Sequence, residues 1–125
     1  MVGIDIVQIN RIEQAARKPA FLSRVFTDAE IGYYKTAGER PETLAGMYAL
    51  KEAAAKALGT GFRDFNLKEI EVTHDGLGAP RVRFLGGADG IFRLTGAKSA
   101  ECSISHERDY AVAVCFLRED ISGKI

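Results

Sequence analysis

Cysteine is scarce: Cys102 and Cys115 are the two in 125 residues, and their spacing matches no metal motif. That excludes a disulfide-stapled secreted scaffold and makes a reducing cytoplasm the expected setting. Charge of one sign is lacking as well, since 17 Lys and Arg offset 17 Asp and Glu. A bulk nucleic-acid binder needs a broad positive field, so nucleic acid is not an expected partner. No stretch approaches the roughly 20 apolar residues of a membrane span, so a membrane is not expected either. Met1-Val2-Gly3-Ile4-Asp5 lacks the basic region and apolar run of a signal peptide. Internal repeats and low-complexity tracts are missing, which removes collagen-like and disordered classes.

What remains has the composition of a globular chain. Hydrophobic residues at 46% and charged residues at 27% allow a core without staples, since a chain this size buries about two-thirds of its unfolded surface. One domain over residues 1–125 is expected, with 117–125 as a C-terminal tail. The chain is short for enclosing a sizeable substrate, so such a site calls for a neighbouring subunit.

Val2 to Val7 is β-branched and apolar apart from Asp5 and predicts a strand. Ile9, Ile12 and Ala15 or Ala16 recur at helical spacing until Lys18-Pro19, where the proline is expected to stop the helix. Thr27-Asp28-Ala29-Glu30 has the pattern of a capping box, flanked by Phe26 and Ile31 as a staple, and predicts a helix to about Lys35. Pro41 to Leu58 is alanine-rich, opens on proline and closes on Gly59-Thr60-Gly61, the strongest helix in the chain. Phe65 to Thr73 and Arg81 to Leu85 predict strands around a turn at Asp75-Gly76-Leu77-Gly78, followed by a helix near Ala88 to Leu94. Glu101 to Ser105 and Tyr110 to Leu117 predict a hairpin around His106-Glu107-Arg108-Asp109. Both alternating faces of its second strand are apolar, so each should be covered, by helices or by another subunit. The order of elements is mixed, which makes the fold α+β.

Several side chains can carry chemistry. Asp5 lies within an apolar strand, where a carboxylate either caps the next helix or binds a metal. Glu52 and Lys56 stand four apart, within about 40° on one helical face. Such a pair is either a surface ion pair or a carboxylate for a hard cation beside an ammonium for a phosphate. Ser103-Ile104-Ser105-His106 delivers a histidine to a turn, where it either pairs with phosphate, serves acid–base work or is idle. His74 also precedes a turn and is expected to be structural. Gly59-Thr60-Gly61 by itself is a helix C-cap, because a helix C-terminus has the wrong dipole sign for an anion. From Gln8 to Val25 the chain holds Arg11, Arg17, Lys18 and Arg24 against Glu13, a local charge of +3. That face is either solvated or docks an acidic partner.

Order and spacing join these signals. Gly3-Ile4-Asp5-Ile6-Val7, Phe26-Thr27 with Glu30, Lys51-Glu52-Ala53 with Lys56-Ala57-Leu58-Gly59-Thr60-Gly61, and Ser103-Ile104-Ser105-His106 resemble the 4′-phosphopantetheinyl transferases. The resemblance runs from residue 2 to about 118, and the short chain is similar to the holo-acyl-carrier-protein synthase branch. It implies a small antiparallel sheet packed with helices, one domain per subunit, in a homotrimer with active sites between subunits. The implied reaction moves 4′-phosphopantetheine from coenzyme A to a serine of an acyl carrier protein, with Mg²⁺, and releases adenosine 3′,5′-bisphosphate.

Carried over residue by residue, the resemblance makes Asp5 and Glu52 metal ligands and Glu52 and Lys56 catalytic. Coenzyme A falls to Lys51, Lys56, Gly59, Thr60, Gly61, Ser105 and His106, with His106 supplied by the neighbouring subunit and holding the 3′-phosphate. Arg11, Arg17, Lys18 and Arg24 fall to the carrier protein. The proton acceptor for the serine stays open between water at the metal and Glu52. Two positions depart from family patterns. Val7 stands where larger relatives carry a third acid, so water completes the metal shell. Met47 replaces a common arginine, which removes a phosphate contact there. Competing readings are a non-catalytic trimeric docking domain of the same fold and a transferase serving polyketide or peptide-synthetase carriers.

Overall fold

The computed structural model describes residues 1–59 and 65–119. Strand β1 (Val2–Gln8) leads directly into α1 (Ile9–Ala15), and α2 (Pro19–Val25) and α3 (Asp28–Thr36) follow. The long helix α4 (Pro41–Ala57) comes next. A 3-10 turn at Leu67–Glu69 precedes β2 (Ile70–His74), β3 (Pro80–Phe84), α5 (Gly86–Leu94), β4 (Ser99–His106) and β5 (Tyr110–Arg118). The sheets are antiparallel: β1-β5-β4 form one and β2-β3 the other.

Helix α4 is the axis of the molecule. It opens with Pro41 at its first position, and its Leu44, Ala45, Met47, Ala49, Leu50, Ala53, Ala54 and Ala57 are buried. It packs against β1 and β5 at close range because the facing residues are small. A Cβ on Gly3 would collide with the backbone oxygen of Ala53 and stand 2.7 Å from the Ala57 nitrogen. A Cβ on Gly46 would lie 2.9 Å from Ile104. The glycines thus set the distance between helix and sheet, and with it the position of Asp5 next to α4.

The Thr27 capping box forms as expected, with the Thr27 amide donating to Glu30 Oε1 at 2.8 Å and the Glu30 amide to Thr27 Oγ1 at 3.2 Å. Three expectations are corrected. The first helix ends at Ala15, before the expected stop at Lys18-Pro19, and Pro19 starts a second helix, since its missing N–H costs nothing there. The predicted strand from Phe65 begins only at Ile70, because Leu67–Glu69 makes a 3-10 turn whose Glu69 carboxylate receives the amides of Asn66 and Gly87. The last strand runs to Arg118, so the expected tail from 117 begins inside it.

Among the described residues, strand β5 is covered on one face only. Ala111, Ala113, Cys115 and Leu117 are buried beneath α4, while Val112, Val114 and Phe116 pair with Ile6, Ile4 and Val2 on the open face. Val2, Ile4 and Ile6 are each at least 60% exposed and Phe116 is 48% exposed. The described residues leave this apolar face uncovered.

Candidate active site

Asp5 and Glu52 come together. Both line a cleft of about 580 Å³ between β1, α1, α2 and α4, alongside Arg11, Gln8, Phe21 and Tyr48. Asp5 reaches it because alternation along β1 turns Asp5 and Val7 toward the helices and Ile4 and Ile6 away. Lys56, one turn beyond Glu52, donates from Nζ to Asp5 Oδ1 at 3.0 Å and to the Ile4 carbonyl at 3.1 Å. The Lys56 side chain remains 56% exposed, so it keeps access to a substrate while pairing with Asp5.

Among the described residues no group of three or more His, Cys, Asp or Glu side chains could hold a metal ion. The donor set is therefore two hard carboxylates at one cleft. That suits Mg²⁺, which keeps several waters and binds through one or two carboxylates plus substrate phosphates. Val7 contributes no ligand.

Lys51 lies elsewhere. Its side chain is 0% exposed, with Nζ 2.7 Å from Glu30 Oε1 and donating to the carbonyls of Leu67 and Ile70 at 3.0 and 2.6 Å. Glu30 Oε2 in turn accepts the Val72 amide at 2.7 Å. Burial lowers the Lys51 pKa and the Glu30 carboxylate opposes that shift. The expectation that Lys51 binds coenzyme A is corrected: its polar atoms fasten α4 to α3 and β2. Met47 is buried as well, so no phosphate contact arises from it.

His106 is exposed at the end of β4 and lines a second cleft of about 200 Å³ with Tyr33, Thr43, Gly46, His74 and Pro80. No described residue lines both this cleft and that of Asp5 and Glu52. Ser105 alternates to the other side of β4 and lies on the open sheet face with Ile4 and Val112. His74 has more structure around it than its sequence suggests: its ring stacks on Tyr33 at 3.9 Å and 4°, and burial lowers its pKa.

Gly59, with φ of +77°, ends α4 in the left-handed conformation that glycine favours. Thr60 and Gly61, expected to approach coenzyme A, lie outside the described residues. Arg11, Arg17, Lys18 and Arg24 are all exposed, and of these Arg11 lines the Asp5 and Glu52 cleft. Sequence reasoning missed Tyr48, whose hydroxyl donates to Glu52 Oε2 at 3.1 Å. The signal was present, since Tyr48 and Glu52 stand four apart on the helix, as Glu52 and Lys56 do.

An α+β fold built on one long helix, with a strand carboxylate and a helix carboxylate at one cleft and a lysine paired with the strand carboxylate, fits a transferase acting on phosphates. Comparison with known proteins is direct. Residues 1–115 match the family model described as the 4′-phosphopantetheinyl transferase superfamily. The chain belongs to that superfamily, in its holo-acyl-carrier-protein synthase branch. It is 44% identical to the holo-[acyl-carrier-protein] synthase of Clostridium novyi over 98% of this chain and 89% of that protein. The same protein from Halothermothrix orenii is 45% identical over 90% of this chain and 91% of its own length. Among solved structures, the holo-[acyl-carrier-protein] synthase of Helicobacter pylori in complex with coenzyme A is similar, with a TM-score of 0.81. It is 32% identical, over 94% of this chain and 99% of that one. The synthase from Neisseria meningitidis gives a TM-score of 0.83 at 33% identity, over 94% of this chain and 96% of that one.

Proposed function

We propose that the chain transfers 4′-phosphopantetheine from coenzyme A to a serine of an apo acyl carrier protein, with Mg²⁺ held by Asp5 and Glu52. The observation that carries this reading is the convergence of Asp5, Glu52 and Lys56 from a strand and a helix distant in sequence. In the reaction the serine Oγ attacks the phosphorus that bears pantetheine. The bond from that phosphorus to the bridging oxygen breaks, and adenosine 3′,5′-bisphosphate leaves with the electron pair. When bound, Mg²⁺ offsets charge on both phosphates.

Lys56 supplies a further positive contact for the leaving phosphate, from a side chain already held over Asp5. Glu52, which lines the same cleft, or a water molecule beside it receives the serine proton. Gly59 carries no side chain, and that leaves room for coenzyme A to approach the end of α4.

His106 reaches the nucleotide 3′-phosphate from a second subunit. Within one chain its cleft and the Asp5 cleft share no lining residue, and the open apolar face of β1 and β5 needs a cover. A homotrimer meets both requirements, with Ser105 placed on the covered face. Arg11, at the rim of the active cleft, and Arg17, Lys18 and Arg24 beyond it meet an acidic carrier surface. The two thiols, both free, suit a reducing cytoplasm.

Release of adenosine 3′,5′-bisphosphate from coenzyme A, followed by chromatography, tests the reading. It is expected to require both apo carrier protein and Mg²⁺. Release without the carrier, or unaffected by chelation, would overturn it.

A further inference from the structure

We propose that Tyr48 is a positioning residue for the metal site: its hydroxyl holds the Glu52 carboxylate in the orientation that binds the cation. This rests on the metal reading of Asp5 and Glu52.

A glutamate has three rotatable side-chain bonds, and ordering them costs rotamer freedom. Any contact that orders the carboxylate beforehand removes part of that cost from metal binding. Ligating carboxylates are in general held by hydrogen bonds of their own. Tyr48 meets the requirement. It stands one turn before Glu52 on α4, half-buried, and donates to Oε2 at 3.1 Å.

The hydroxyl is itself held. The Tyr48 ring lies 6.1 Å from the Phe21 ring of α2 at an interplanar angle of 34°, and Phe21 sits 6.1 Å from the buried Phe26. Phe21, Tyr48 and Glu52 line the cleft that Asp5 enters from β1. A rigid aromatic wall thus extends from the core to one oxygen of the helix carboxylate. Phenylalanine at this position would keep the wall and lose the hydrogen bond.

Tyr48→Phe tests this, because it removes one oxygen and leaves the ring packing in place. Binding of Mn²⁺ as a probe cation, with coenzyme A present, is followed by electron paramagnetic resonance in the parent, Tyr48→Phe and Glu52→Gln proteins. Tyr48→Phe is expected to bind Mn²⁺ about tenfold more weakly, as outer-shell changes at metal sites commonly do. Its kcat/KM should fall at low Mg²⁺ and recover at high Mg²⁺, which a general loss of structure would not reproduce. Glu52→Gln should lose the site. Parent-like Mn²⁺ affinity in Tyr48→Phe, with loss in Glu52→Gln, overturns the positioning role and leaves the metal reading standing. Parent-like affinity in Glu52→Gln overturns both.

Discussion

Lys51 and Lys56 lie five residues apart on the same helix and do opposite work. Burying an ammonium costs several kcal/mol of hydration, and Lys51 offsets it with one carboxylate and two carbonyls. Lys56 stays more than half exposed beside Asp5. In sequence the two are indistinguishable members of one motif, because the partner that explains Lys51 is Glu30, on another helix. Asp5, Glu52 and Lys56 were legible because spacing and order carry them. Tyr48, although four residues from Glu52, was less legible, since a tyrosine in an apolar helix is expected in the core. Lys51→Met strands the buried Glu30 charge and should destabilise the protein by about 3–5 kcal/mol in chemical denaturation. Adding Glu30→Gln removes the stranded charge and should recover part of that loss. A single-variant effect below about 1 kcal/mol would contradict this assignment.

At the scale of elements, legibility followed locality. Helix α4 could be read because its opening proline, closing glycine and alanine run are all local signals. The hairpin of β4 and β5 could be read from apolar runs around a polar turn. The division between α1 and α2 could not, because proline stops one helix and starts another with equal ease. The delayed start of β2 depends on Glu69 reaching Gly87 of α5, a contact no local pattern reveals.

Cys102 and Cys115 face each other across β4 and β5, where burial pushes their thiols up to about 11 and about 12. In the unfolded chain both titrate near 8.5. Between these values the folded state binds more protons, so the thiols' contribution to stability should be constant below about pH 8 and fall as pH rises beyond it. Denaturation midpoints for the parent and a Cys102→Ala/Cys115→Ala variant across pH 7 to 10.5 check this. The variant should lack that component of the decline, and identical slopes would contradict the burial account.

At the scale of the whole molecule, the proposed site calls for a second subunit. One chain carries the carboxylates in one cleft and His106 in another, and it leaves an apolar sheet face open. The sequence hinted at this through a last strand apolar on both sides, although it could not say which side the chain itself would cover. Asp5→Asn and His106→Ala should each be inactive alone, whereas mixing them under subunit exchange should restore part of the activity. Some interfaces in the mixed assembly then hold both intact residues. Absence of recovery despite demonstrated exchange would contradict a shared site.

The transfer itself is read from the intact mass of the carrier protein. Apo acyl carrier protein, coenzyme A and Mg²⁺ are incubated with this protein, beside a carrier whose target serine is replaced by alanine. The account predicts that the first carrier gains the mass of one phosphopantetheinyl group and the second gains nothing. An unchanged mass in the first carrier, or an equal gain in the second, would contradict it.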